Sequence, residues 1–152
     1  AKIDGFCVGG GLVLALYCDL RIASDRSTFG LPTAAVGLLP TGGATRRLVD
    51  TVGESTAKEL VFTAERIDAA RAREAGLLTD AVPAESLDER VAEVVASMAE
   101  VGTEARERAK RAINAAIAAP DPETAREREA SLWWEQFRSE ERRERVDAFL
   151  DE

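Results

Sequence analysis

Three consecutive glycines, Gly9-Gly10-Gly11, stand between two apolar runs and limit what this chain can build. Ahead of them, residues 2–8 read as a short buried strand. Behind them, residues 12–18 (Leu-Val-Leu-Ala-Leu-Tyr-Cys) are apolar almost throughout. Periodicity alone does not separate strand from helix in so short a run. The glycine turn in front and the Leu and Ala content favour helix. Glycine allows positive φ and close backbone approach. A helix start leaves N–H groups unpaired and carries partial positive charge. Two readings follow. The glycines form a tight turn and nothing more, or they build a site for an anion or for an oxygen that becomes anionic during a reaction. A dinucleotide fingerprint is not met, and no Gly-Lys-Ser/Thr follows as a phosphate-binding loop requires.

The rest of the first half continues in short elements. Residues 19–24 alternate as a strand would, with Leu20, Ile22 and Ala23 apolar and Asp19 and Arg21 charged. Residues 27–31 form another short strand ended by Pro32. Gly37-Leu38-Leu39-Pro40-Thr41-Gly42-Gly43 is a loop by composition. A helix begins near Gly43 and runs to Gly53, and a second runs from Glu54 to about Thr63. Asp68 is placed to N-cap a third through Ala75, with Gly76 just past its end. Residues 77–82 are a strand stopped by Pro83.

The second half is helical. Leu87, Val91, Val94, Val95 and Met98 recur mostly at spacings of three and four in a helix opened by Glu85 or Ser86. Gly102 breaks it. Residues 103–118 form the next helix, with Ala109, Ala112, Ile113, Ala116 and Ile117 on one side. Asp121 or Pro122 starts another through Leu132, Trp133 and Phe137. A last amphipathic helix groups Val146, Phe149 and Leu150. The tryptophan pair, Trp133 and Trp134, and this final stripe read as docking surfaces, either on this chain or on a neighbour.

Charge and composition exclude several classes. Residues 1–76 hold 9 acidic and 9 basic side chains, whereas residues 77–152 hold 19 and 11, so the whole −8 lies in the helical half. A nucleic-acid binder should present a basic face, and none is evident. Arg outnumbers Lys 17 to 3, which fits a GC-rich genome or a protein kept soluble in high salt by surface acids. The chain has no histidine, so it cannot supply a Ser-His-Asp or Cys-His triad or an imidazole metal site. No metal site is expected. Cys7 and Cys18 lie in apolar surroundings and read as buried free thiols. No apolar run approaches the roughly 20 residues of a membrane span. Nothing resembles a secretory leader, and a cytoplasmic protein is expected. The chain opens on Ala1, directly before an apolar segment, which suggests a preceding portion.

The order of blocks then becomes specific. The run IDGFCVGGGLVLALYCDLRIASDRSTFGLPTAAVGLLPTGGATRRL, followed by AREAGLLTDAVP, resembles the enoyl-CoA hydratase/isomerase (crotonase) family from Ala1 to about residue 86. The resemblance implies an α/β fold, a crotonase-like spiral of ββα units, truncated on its N-terminal side. Residues 1–83 would be the later part of that spiral core. Residues 84–152 would be a helical region used in forming a homotrimer or hexamer. It implies an acyl-CoA thioester ligand, with no cofactor beyond the coenzyme A carried by the substrate, and no nucleic-acid or membrane partner. It places one of two oxyanion-hole N–H donors at Gly10, with Gly9, Gly11, Leu31, Pro32 and Thr41 lining the substrate site. The second donor would lie in chain preceding this sequence.

The departures are as informative as the matches. Hydratases of this family hold and activate water with two glutamates, whose positions here are Val13 and Thr33. An acid that some isomerase-type members carry would fall at Thr41. Neither Val nor Thr takes a proton near neutral pH, although a Thr hydroxyl can hydrogen-bond water or substrate. Losing a positioned general base costs about 10²–10⁴-fold, so two-glutamate hydration is not expected. Decarboxylation, thioester hydrolysis or isomerisation with a base from elsewhere remains open to such a lyase or isomerase of fatty acid metabolism. The alternative is a non-catalytic acyl-CoA-binding or oligomerising protein. Asp19 and Asp25 read as solvent or ion-pair residues beside Arg21 and Arg26. Arg46 and Arg47 read as surface or helix-end residues, with contact to CoA phosphates as the alternative.

Overall fold

The computed structural model describes residues 1–151. It is an α/β molecule in two compact units, Ala1–Glu93 and the remainder from Val94 onward. The first unit repeats one theme. Strands β1 (Lys2–Ile3) and β2 (Phe6–Val8) lead into helix α1 (Gly10–Leu16). Strands β3 (Ile22–Ser24) and β4 (Thr28–Gly30) then lead, through a 3-10 turn at Pro32–Val36, into helix α2 (Ala44–Phe62). A third round contributes β5 (Ile67–Asp68), α3 (Ala69–Glu74) and β6 (Asp80–Val82).

The rounds stack as a spiral. β1 lies parallel to β3, pairing Lys2 with Ile22 and Ile3 with Ala23, and β3 lies parallel to β6. In a second sheet β2 lies parallel to β4, pairing Phe6 with Thr28 and Val8 with Gly30, and β5 adds antiparallel to β4. Parallel neighbours need a crossover connection, and α1 supplies it for β1/β3 and for β2/β4.

The strand expected over residues 2–8 is therefore two strands in two sheets. The chain turns the corner at Asp4-Gly5, where Gly5 has φ 110°. The partner corner between β3 and β4 carries Ser24 and Ser27, both fully buried. Ser27 Oγ accepts from Gly5 N–H at 3.0 Å and lies 2.9 Å from Ser24 Oγ, which donates to Asp4 Oδ1 at 2.8 Å. Arg26 closes the cluster with two hydrogen bonds to Asp4, at 2.7 and 2.5 Å. Burying hydroxyls without partners would be costly; here each corner satisfies the other. The apolar core fills the space between the sheets and α1–α3, with Leu12, Phe29, Leu31, Leu48, Leu60 and Leu77 almost fully buried.

Local expectations hold in several places. Gly53 (φ 78°, ψ 164°) divides α2 where two helices were expected. Asp68 caps α3, accepting from Arg71 N–H at 2.8 Å. Others need correction. Cys18 is only half-buried, unlike Cys7, because it sits at the exposed end of α1. The last strand begins at Asp80 rather than residue 77, because Leu77 and Leu78 dip into the core. Arg26 pairs with Asp4 rather than Asp25. Arg21 directs its guanidinium to the carbonyls of Leu77 and Cys18, at 2.6 and 2.7 Å.

Helix α4 (Leu87–Glu100) leads on to α5 (Thr103–Ile117), α6 (Pro122–Phe137) and α7 (Glu140–Leu150). Asp121 caps α6 and Ser139 caps α7. The Glu141 side chain accepts from Glu104 and Ala105 N–H at 2.9 and 3.0 Å, so α7 caps the start of α5. The rings of Trp133, Trp134 and Phe137 meet one another at centroid distances of 4.8–5.6 Å, yet stay about half exposed. Phe149 and Leu150 are also exposed. Among the described residues no helix is long and apolar enough to cross a membrane.

Candidate functional site

The glycine turn sits where the two sheets hand over to the first helix. Gly9 closes β2 with φ 54° and ψ −122°, and its N–H donates to the Gly30 carbonyl at 2.9 Å. The turn is thereby pinned to the end of β4. The first α-helical bond runs from Val13 N–H to the Gly9 carbonyl at 3.0 Å. The N–H groups of Gly10, Gly11 and Leu12 precede it and have no intrahelical acceptor.

Gly10 and Gly11 are exposed, and a Cβ built on either would meet nothing within 4 Å. Their lack of side chains is therefore not demanded by packing within this chain. Gly30 is different. A Cβ there would lie 2.9 Å from the Glu65 carbonyl oxygen, so glycine is required for β4 to pass that backbone. The reading from sequence had not singled out Gly30. Its signal was weak, a glycine directly after the buried Phe29 and before Leu31-Pro32.

The other expected site residues divide by environment. Val13, one turn into α1, is half-buried and packs on the core. A Cβ on Gly42 would touch its Cγ1 at 3.4 Å, so the loop before α2 lies against it. Leu31 is fully buried and presents no side-chain surface. Pro32 and Thr33 open the 3-10 turn that follows β4. The Thr33 Oγ1 atom is buried and makes no hydrogen bond within the chain. An unpaired buried hydroxyl costs about 1–3 kcal/mol, and Thr28 Oγ1 is in the same situation. Thr41 is exposed on the loop, where its carbonyl accepts from Ala44 N–H at 3.2 Å.

The structure thus brings Gly9–Gly11 next to the end of β4, and Val13 next to the Thr41–Gly43 loop. None of these side chains ionises near neutral pH. Arg46 is held by Asp50 through bonds of 2.8 and 2.7 Å, and Arg47 stacks over the Tyr17 ring at 4.0 Å. Both are engaged at the start of α2. The perturbed carboxyl nearest in sequence is Asp4, which hydrogen bonds from Arg26 and then Ser24 hold down at about 2. It belongs to the sheet corner. Burial pushes the Cys7 thiol up, keeping it protonated and inert. An open cleft of about 630 Å³ is lined by Asp25, Asp68, Arg73, Glu74 and Thr79 together with Leu78 and several alanines. It shares no residue with the glycine turn. Its lining mixes charged side chains with alanines and Leu78. Among the described residues no three His, Cys, Asp or Glu side chains gather as metal ligands.

Comparison with known proteins gives the same direction. A mitochondrial enoyl-CoA hydratase of Pongo abelii is 34% identical over 151 residues, covering 99% of this chain and 52% of that protein. The crystal structure of an enoyl-CoA hydratase from Bacillus anthracis superposes with a TM-score of 0.93 at 35% identity, covering 97% of this chain and 57% of the other. A candidate enoyl-CoA hydratase from Thermobifida fusca YX, solved in complex with CoA, matches with a TM-score of 0.82 at 34% identity, covering 88% and 51%. The chain spans about half the length of these relatives. Their fold is the crotonase spiral, which is the stacking of strands described above. The enoyl-CoA hydratase/isomerase family model matches residues 1–152, and the chain belongs to that family.

Proposed function

We propose that the protein containing this chain acts on an acyl-CoA thioester and stabilises its enolate-like oxyanion with the N–H of Gly10, without the two glutamates of the hydratases. One observation carries the reading. Gly10 opens α1 in an exposed position with its N–H ahead of the first helical bond, and a Cβ built on it meets nothing within 4 Å. A donor fixed in that way needs no reorganisation when charge develops on the thioester oxygen, and each such donor is worth roughly 3–4 kcal/mol of transition-state stabilisation. Gly9 and Gly11 shape the turn. Leu31 and Pro32 follow the strand end to which the turn is pinned, and Thr41 stands on the loop that packs against Val13.

Val13 and Thr33 occupy the glutamate positions and change the chemistry. With no carboxylate there, the site polarises a thioester without a general base of its own to activate water. Decarboxylation, thioester hydrolysis and isomerisation with a base from elsewhere all fit. The Thr33 hydroxyl supplies a hydrogen bond to a bound water or substrate. No cofactor is needed beyond the coenzyme A of the substrate. The helices from α4 onward, with Trp133, Trp134 and Phe149 exposed, serve assembly into a homotrimer or hexamer.

The test is turnover by the full-length protein of a panel of enoyl-, dienoyl- and malonyl-type CoA esters. Turnover of one or more supports the proposal. Calorimetric binding without any turnover favours the second reading, a non-catalytic acyl-CoA binder, for which the core-packed Val13 already speaks. Neither binding nor turnover removes both.

A further inference from the structure

Tyr17 closes α1, four residues after Val13, and the two therefore share a helix face. Both touch the same loop. The Tyr17 hydroxyl donates to the Gly42 carbonyl at 2.7 Å, and Val13 Cγ1 is the atom that a Cβ on Gly42 would meet. Gly42 and Gly43 are both left-handed, with φ 64° and 75°. A Cβ on Gly43 would lie 2.6 Å from the Tyr17 oxygen. Only glycine gives this backbone conformation cheaply and leaves the phenol room to reach the loop. Arg47, in the first turn of α2, covers the outer face of the ring at 4.0 Å.

We infer that Tyr17 is a positioning residue that clasps the Thr41–Gly43 loop onto the Val13 face of α1, an inference that rests on the thioester reading above. Tyr17 remains half exposed, so burial of its ring does not account for its placement. The clasp sets where Thr41 stands relative to the glycine turn at the other end of the same helix. It does not involve the Gly10 N–H. Loosening it therefore weakens the hold on a bound thioester while leaving polarisation of the carbonyl intact.

The experiment compares wild type, Tyr17→Phe and Tyr17→Leu in the full-length protein. Hydrogen exchange is followed over residues 40–48, together with kcat and KM for whichever thioester the wild type turns over. Phe keeps the ring beneath Arg47 and loses only the hydroxyl; Leu loses both. Exchange in the loop is expected to quicken roughly three- to tenfold in Tyr17→Phe, the factor for one hydrogen bond, and further in Tyr17→Leu. KM is expected to rise severalfold with kcat held within about twofold, a pattern that marks lost ground-state binding. Unchanged exchange overturns the clasp. Faster exchange with unchanged KM overturns its role at the site, as does a fall in kcat at constant KM. A wild type that neither binds nor turns over any thioester refutes the underlying reading and the loop's role with it, while the exchange comparison still decides whether Tyr17 holds the loop.

Discussion

Replacing Gly10 by alanine separates the two readings of the glycine turn. If the glycine serves only a tight turn, its side chain is absent for conformational or packing reasons. The structure removes both. Gly10 is not in the left-handed region, and a Cβ there meets nothing within 4 Å. Alanine also restricts the unfolded chain and suits a helix better, each worth up to about 1 kcal/mol. Gly10→Ala should then leave stability unchanged or raise it by about 0.4–1 kcal/mol, seen as an equal or higher urea midpoint at constant m. Activity should behave differently. A Cβ in a helix leans toward the N-terminus, the direction in which the free N–H groups point. The methyl group would therefore enter the space assigned to the thioester oxygen. An oxyanion displaced from such a donor loses about 10²–10³-fold in kcat. The assay is kcat on the thioester identified from the panel, beside urea unfolding of the same preparation. A variant destabilised by more than about 1 kcal/mol would show that the glycine is structural. A variant that is stable and fully active would show that no charge develops near Gly10.

Other expected outcomes follow from the same geometry. Gly30→Ala forces a methyl group against the Glu65 carbonyl; overpacking of this kind costs about 1–3 kcal/mol, read as a lower urea midpoint, and activity falls with it because the Gly30 carbonyl anchors Gly9. Asp4 is depressed from 3.8 to about 2 by Arg26 and Ser24, so its contribution is complete above about pH 4 and disappears as pH falls toward 2. The urea-midpoint gap between wild type and Asp4→Asn should accordingly be widest near pH 6 and close as pH approaches 2; a gap independent of pH would exclude the carboxylate as its source. Glu141→Ala removes both acceptors at the start of α5 and should destabilise that helix end, as loss of a cap does, visible as faster amide exchange at Glu104 and Ala105.

Much of the fold was legible because local signals agreed with tertiary structure. Asp68 and Gly76 bracket α3 as cap and stop signals, and Gly53 marks the break in α2. Where the sequence misled, the determining contacts are distant. Residues 2–8 look like one strand, and nothing local shows that Asp4-Gly5 is a corner, because Ser24 and Ser27 stabilise it from some 20 residues away. β5 was missed for a related reason: two residues carry no periodicity, and Ile67–Asp68 is a strand only through pairing with β4. At the proposed site, the turn from strand to helix at Gly10 was legible from strand–glycine–helix order. Gly30 and Tyr17 were not, since their roles depend on Glu65 and Gly42, which sequence spacing does not bring near. The four-residue step from Val13 to Tyr17 was the available clue to a shared face.

The same contacts show why placing glutamates at positions 13 and 33 is a demanding test of the proposed chemistry. Val13 is wedged between the core and Gly42. A glutamate there is longer and charged, and must either displace the Thr41–Gly43 loop or leave its carboxylate partly desolvated, which raises its pKa. At position 33 the existing hydroxyl is already buried without a partner, so a carboxylate would need a partner that the 3-10 turn does not offer. Val13→Glu with Thr33→Glu should therefore yield little hydration of a crotonyl-CoA-type ester while the Tyr17 clasp is intact. Adding Tyr17→Phe, which frees the loop to move away from position 13, should raise that activity. Hydration appearing in full with the double variant alone would show that the loop imposes no barrier and that the missing acids were the whole difference. No gain in either background would place the obstacle elsewhere than position 13. A gain confined to the triple variant would tie the proposed lack of hydratase chemistry to the way this chain packs its loop against α1.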